Sequence, residues 1–320
     1  MYTVLVKATR APRGILLIKS LCYQSVRARA LSVSWTVLSG EEGASHFKNS
    51  SIKHPLSSKL TSNENVPVEN AENATGDRSD SYSLPHPIWS AAEVDGVEVT
   101  HRPPTDRVDK AAFYTMKLMR FMFDLFSGYG WGKWRGTLSE RKWIKRFIFL
   151  ETVAGVPGMM GAMIRHMNSL RYMERDHGWI HTLLEEAENE RMHLLTFLEL
   201  RRPGPLFKAM VICSQGVFVT LFGAAYFINA RFCHRFVGYL EEEAVITYTH
   251  CIQCMDKGDL PMWSKMAAPS IAVNYWNLKE DAMMRDVLLA IRADEAHHRV
   301  VNHTLGSISP DDDNPYGPGR

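Results

Sequence analysis

Six ionisable side chains interrupt apolar helical stripes in this chain. A helix face that is apolar except for one charge must find that charge a partner wherever it packs. One stripe reads Leu183, Ala187, Glu190, Leu194 and Phe197, with His193 beside it, and another reads Met284, Leu288, Ile291, Glu295 and His298. Glu151 is the only charge between Phe147 and Ile164, and Glu241 shares a face with Val237, Ala244 and Tyr248. In two of these four segments a Glu stands three residues before a His, so carboxylate and imidazole are neighbours on the helix surface.

Spacing alone does not single out those pairs. Chance placement of the histidines and glutamates present gives roughly 0.8 such pairs, and the sequence has two more, Glu98 with His101 and Glu174 with His177. The first lies in "VEVTHRPP", an extended run where residues three apart do not share a face. The second lies in the polar "MERDHGW", a solvated helix end. Both are expected to be coincidental. A satisfied ion pair explains one carboxylate and imidazole on an apolar stripe. Two matched sites, with single acids on two further helices, point to a shared metal charge. One Glu from each of two helices plus Glu-x-x-His from each of two others is the ligand set of a di-metal carboxylate bundle. Carboxylate with imidazole suits iron or manganese better than zinc or copper.

The fold class follows. Apolar residues recur at helical spacing over about 111–127, 140–172, 180–201, 206–229, 232–257 and 278–306, and no long stretch alternates with period two. "RRPGP" and "DKGDLP" mark breaks, and Pro157–Gly158 predict a kink or short break inside the second segment. The expectation is an all-α domain over 106–309, a four-helix bundle of ferritin-like di-iron carboxylate type with additional membrane-surface helices. Residues 1–40 carry six basic residues and no acid, the composition of a mitochondrial transit peptide. Residues 41–105 read as a disordered linker and 310–320 as a disordered tail. A formal charge of +2 gives no reason to expect a nucleic-acid partner. Five cysteines, unevenly placed, do not make a disulfide framework. The lone Cys251-x-x-Cys254 reads as two small residues packing a helix face.

Four blocks in register carry a specific resemblance: "LETVAGVPGM", "AENERMHL", "LEEEA" and "RADEAHHRVVNH". In this order they resemble the signature blocks of the alternative oxidases, the cyanide-insensitive ubiquinol oxidases of mitochondria, over about residues 110–306. The resemblance implies a membrane-bound enzyme that oxidises ubiquinol and reduces dioxygen to water without pumping protons. It would lie on the matrix side of the inner membrane as a monotopic homodimer, with lipid, ubiquinol and dioxygen as its partners. Two iron ions would be held by Glu151, Glu190, His193, Glu241, Glu295 and His298, with Glu190 and Glu295 bridging.

The resemblance also implies redox roles for Tyr248, two turns beyond Glu241, and for Tyr275. It assigns Arg120, Asp124, Arg146, Leu150, Glu243 and Thr247 to a quinol pocket, although Arg120 and Asp124 alone read as an intrahelical ion pair. Asn189 and Asp294, each just before a bridging candidate, are expected to steady it. Trp276 and His234 match family positions as well. The regulatory cysteine of plant members has no counterpart ahead of the first helix, where the only cysteine is Cys22. Three other readings remain at this stage: a ferritin-like iron-binding bundle without quinol, a di-iron hydroxylase, and a membrane-spanning carrier suggested by the uncharged run Ala209–Ala230.

Overall fold

The computed structural model describes residues 83–127, 129 and 138–319. The expected transit peptide and most of the expected linker lie outside them. Among the described residues the chain forms eight α-helices and no strand. They are α1 (Ala91–Asp95), α2 (Arg107–Ser127), α3 (Glu140–Tyr172), α4 (Trp179–Leu200), α5 (Pro205–Ile228), α6 (Ala230–Asp256), α7 (Ser270–Tyr275) and α8 (Met284–Leu305).

Local chemistry sets these bounds. Pro205 opens α5 directly after Gly204, where its missing N–H is no loss. Asn229 ends α5 and caps α6, its side chain accepting from the Phe232 amide at 3.0 Å. Met173 closes α3 in the left-handed region, and Gly178, at φ 88°, precedes α4. Of the kink or short break expected at Pro157–Gly158, the break is absent, since α3 runs unbroken from Glu140 to Tyr172.

Four long helices form the bundle. α3 packs chiefly on α4 and α6 on α8. Close approach of the first pair depends on Gly158, where a Cβ would stand 2.6 Å from the Leu183 carbonyl oxygen. α2 lies against α6, and α5 against α3 and α6, outside the bundle. Both outer helices turn apolar faces outward: Leu118, Phe121 and Phe126 on α2, and Leu206, Ile212, Leu221 and Ile228 on α5 are exposed. Apolar patches of this kind mark a surface with a partner.

Two stretches depart from the sequence expectation. Residues 83–105, read as linker, are bound to the bundle: Trp89 Nε1 donates to Asp294 at 2.6 Å, and His86 stacks on Tyr275 at 3.7 Å. Arg292 and Arg299 hold the carbonyls of Val94 and Glu98 at 2.9 and 3.0 Å. Residues 310–319, read as a solvated tail, are likewise fixed: Trp179 Nε1 donates to the Asp312 carbonyl at 2.9 Å and Asn314 Nδ2 to Thr182 at 2.6 Å. Hydrogen bonds hold both segments, with single apolar anchors such as Val94 and Tyr316 packed on the core, and composition reveals neither.

The start of α2 is pinned by a buried ion pair. Asp109 is fully buried and accepts from Arg235 Nε at 3.1 Å and Arg231 Nη2 at 3.1 Å. Burial pushes its carboxyl up, but the Thr105 hydroxyl and amide and the Arg235 guanidinium outweigh that and hold it below the usual range. Its stabilisation is therefore complete above the ordinary Asp pKa and lost as pH falls through the depressed value. Replacing Asp109 by Ala strands the buried Arg235 and should cost about 3–5 kcal/mol, read as a lower midpoint in denaturant unfolding.

Candidate metal centre

The six stripe-breaking residues meet at the middle of the bundle. α3 contributes Glu151, α4 Glu190 and His193, α6 Glu241, and α8 Glu295 and His298, all buried. Their donor atoms fall into two groups, within each of which the atoms lie inside 4.8 Å of one another: Glu151, Glu190, His193 and Glu295, and Glu190, Glu241, Glu295 and His298. Glu190 and Glu295 belong to both groups. Two ions joined by two carboxylates require that sharing.

The donor atoms fit metal better than they fit one another. His193 Nδ1 faces carboxylate oxygens of Glu151, Glu190 and Glu295 at 3.4, 3.4 and 3.5 Å. His298 Nδ1 stands 2.9 Å from Glu190 Oε1. None of these contacts has hydrogen-bond geometry, and both imidazole nitrogens, both Glu190 oxygens and one oxygen each of Glu151 and Glu295 are buried without a partner. Such orphans are costly. Atoms that crowd together without bonding are aimed at common points, as ligands of a cation are.

The electrostatics agree. Burial, together with Glu190 and Glu295, pushes Glu151 up to about 8, and burial with the same neighbours pushes Glu241 well above the carboxylate range. Burial opposes ionisation of Glu190 too, but His193 and His298 pull it below its ordinary value. Burial likewise disfavours the charged forms of His193 and His298, but Glu190 and other acids, Asp294 for His193, overcome this, raising His193 well above its ordinary value and His298 to about 9. Two imidazoles share the negative charge of four acids, a deficit that a pair of divalent ions would remove.

Asp294 has a different task from the one expected of it. Instead of steadying its neighbour Glu295, it reaches across the bundle to His193 Nε2 at 3.0 Å. It also accepts from Asn189 at 3.0 Å, Trp276 at 2.8 Å and Trp89 at 2.6 Å. A carboxylate on one ring nitrogen fixes which face of the ring the other nitrogen presents. Asn189 also donates to the Tyr275 hydroxyl at 3.0 Å, which ties Tyr275 to this network and not to the carboxylate box. The Tyr248 hydroxyl donates to Glu151 Oε1, and its ring stacks on Phe147 with centroids 4.6 Å apart. The other two Glu-x-x-His pairs lie outside the box. His101 bonds Glu242 at 2.6 Å, and His177 bonds Asp313 at 2.9 Å.

A cavity of about 920 Å³ leads from the apolar outer helices to the box. α2 and α5 line its outer part, and Glu151, Glu241, Tyr248 and Glu295 line its inner end. Arg120, Arg146, Leu150, Glu243 and Thr247 line it as well. Asp124 stands behind the two arginines, accepting from Arg120 at 2.8 Å and Arg146 at 2.7 Å. The intrahelical pair of Arg120 and Asp124 exists, and it is one part of a network: Arg120 also reaches Glu243 at 3.2 Å and Thr247 at 3.0 Å. Sequence reasoning missed Lys117, which pairs with the other Glu243 oxygen, and Glu186, buried one turn before Glu190.

Comparison with known proteins gives one consistent answer. The family described as alternative oxidase matches residues 89–307. The chain is 52% identical over 239 residues to a mitochondrial alternative oxidase of Aspergillus niger, covering 72% of this chain and 68% of the relative. To that of Emericella nidulans it is 51% identical over 230 residues, covering 70% and 65%. To that of Trypanosoma brucei brucei it is 45% identical over 282 residues, covering 88% and 83%.

Metal loading should separate ligation from packing. Glu241→Gln replaces an acid whose neutral form burial and the neighbouring carboxylates favour, so its apo stability should match the parent within about 0.5 kcal/mol. The rise in melting temperature on adding ferrous iron should shrink or vanish. Differential scanning calorimetry with and without iron measures both.

Proposed function

We propose that this chain, which belongs to the alternative oxidase family, is a membrane-bound di-iron ubiquinol oxidase. Two ubiquinols and one dioxygen would give two ubiquinones and two waters, with no proton pumping. The observation that carries the reading is the cavity that joins an apolar exterior to the carboxylate box through a charged wall.

Glu151, Glu190, His193, Glu241, Glu295 and His298 would hold two iron ions, which when bound supply the one-electron chemistry that dioxygen needs. Arg120, Arg146, Glu243 and Thr247, with Asp124 behind them, offer hydrogen bonds to a quinol head, and Leu150 packs against its ring. Arg146 Nε is buried without a partner, a donor available to a quinol oxygen. Glu243, in the cavity wall, is an acceptor for quinol protons. Tyr248 has a proton acceptor in place at Glu151 Oε1, so it can give up an electron while its proton moves only along that hydrogen bond. The stack of Phe147 and Phe197 keeps water from its ring. Tyr275, held by Asn189, would serve as a more remote redox tyrosine.

Membrane attachment is proposed on one side only. α5 has 24 residues, long enough to span. Crossing would put Glu190 and His193 on one side and Glu241, Glu295 and His298 on the other, yet their donor atoms converge. α5 and α2 therefore lie in one leaflet with their apolar faces in lipid, and the quinol enters between them. The relatives are named mitochondrial, which supports a mitochondrial location, and attachment at the matrix face of the inner membrane is part of the same proposal. The exposed row of Met159, Met163, Met167 and Leu170 on α3 supports a homodimer.

Quinol-driven oxygen uptake by the purified chain in vesicles tests the reading. Uptake should persist in cyanide and consume two quinols per dioxygen. Iron-loaded protein that takes up no oxygen with quinol would favour an iron-binding bundle instead. Tyr248→Phe removes only the hydroxyl, so it should keep its iron and fold and lose turnover. Near-normal turnover would return Tyr248 to the core.

A further inference from the structure

Acids near the box do not end with its four carboxylates. Glu186 lies one helical turn before Glu190 on α4 and is buried. Its Oε2 accepts from Asn302 Nδ2 at 2.8 Å, and the same nitrogen donates to the His298 carbonyl at 3.1 Å, one turn earlier on α8. A single amide thus holds a carboxylate at a fixed level beside one ligand candidate and ties it to the backbone of another.

The groups behind Asn302 are neutral. Asn302 Oδ1 can only accept, so His234 Nδ1 donates to it at 3.2 Å. That leaves His234 Nε2 to accept from the Tyr226 hydroxyl at 3.1 Å. Among the described residues no Arg or Lys pairs with Glu186. The chain of donors from Tyr226 to Asn302 orients the carboxylate without cancelling its charge. Burial pushes this carboxyl up, to about 7, while His298 works the other way; the ions proposed for the box would add the opposite charge that keeps it ionised.

We propose that Glu186 is a positioning residue that sets the reduction potential of the metal pair: held by Asn302 beside Glu190 and His298, its carboxylate favours the oxidised, more highly charged state. The inference rests on the di-iron reading above. A negative charge near a metal in a low-dielectric interior stabilises the higher oxidation state and lowers the potential. A lower potential favours electron transfer from the metals to dioxygen over retention of electrons taken from quinol.

Glu186→Gln isolates the charge, because its amide oxygen can still accept from Asn302. Redox titration of the iron-loaded full chain, followed by electron paramagnetic resonance, gives the potential, and metal analysis gives the iron content. The expected result is two irons per chain, a more positive potential, an unchanged KM for quinol and slower turnover at limiting oxygen. Glu186→Asp, which restores the charge, should bring the potential back toward the parent. An unchanged potential with both irons retained overturns the proposal. So does loss of iron, which would make Glu186 a ligand or a fold element, and so does an equal shift in the Asp variant. Parent protein that binds no iron would sink the di-iron reading itself, a result distinct from any of these.

Discussion

Repulsion among four buried carboxylates is the constraint on which this bundle depends. Each is pointed inward by a stripe of apolar neighbours, and the helices cannot turn those stripes away without exposing the core. Two imidazoles offset part of the charge, which is why Glu190 stays ionised while Glu151 and Glu241 are pushed toward their neutral forms. The remainder calls for cations. The donor geometry suits that need, because crowded oxygens and nitrogens that make no hydrogen bonds to one another would become an ordered coordination shell with metal between them.

The rest of the molecule holds this box in place and connects it outward. Asp294 spends its two oxygens on four donors, one of them the ring of His193 and another Trp89 from the segment before α1. The orientation of the His193 ring thereby depends on a residue about a hundred positions away. On the other side, Tyr248 joins Glu151 to the cavity wall, and the cavity opens between the two helices whose apolar faces have no partner among the described residues. One continuous path thus runs from an apolar exterior through paired charges to the buried acids.

Much of this was legible in the sequence, for physical reasons. The boundaries of α3 to α6 follow apolar periodicity and Pro, Gly and Asn punctuation to within a residue or two. The six box residues are visible because a charge on an apolar stripe has few explanations. Glu186 was hidden by its surroundings: in "LLEEAENER" the density of acids reads as a solvated face, and only the fold separates buried Glu186 from partly exposed Glu188. The ordered segments 83–105 and 310–319 were read as linker and tail because hydrogen bonds and single apolar anchors, not periodic apolar stripes, fix them. Trp89 in "HPIWS" and Trp179 beside a glycine were the signals available. Pro157 makes no break because tertiary packing on α4, through Gly158, carries α3 past the missing backbone hydrogen bond.

Sharing of Glu190 and Glu295 by two ions is measurable as the iron stoichiometry of single-residue variants. Glu151→Ala removes a residue of one group and should leave about one iron per chain, whereas Glu190→Ala removes a residue of both groups and should leave almost none. Equal loss of one iron in each variant would mean two independent sites. Two irons retained by Glu190→Ala would mean that the metal, if bound at all, lies elsewhere.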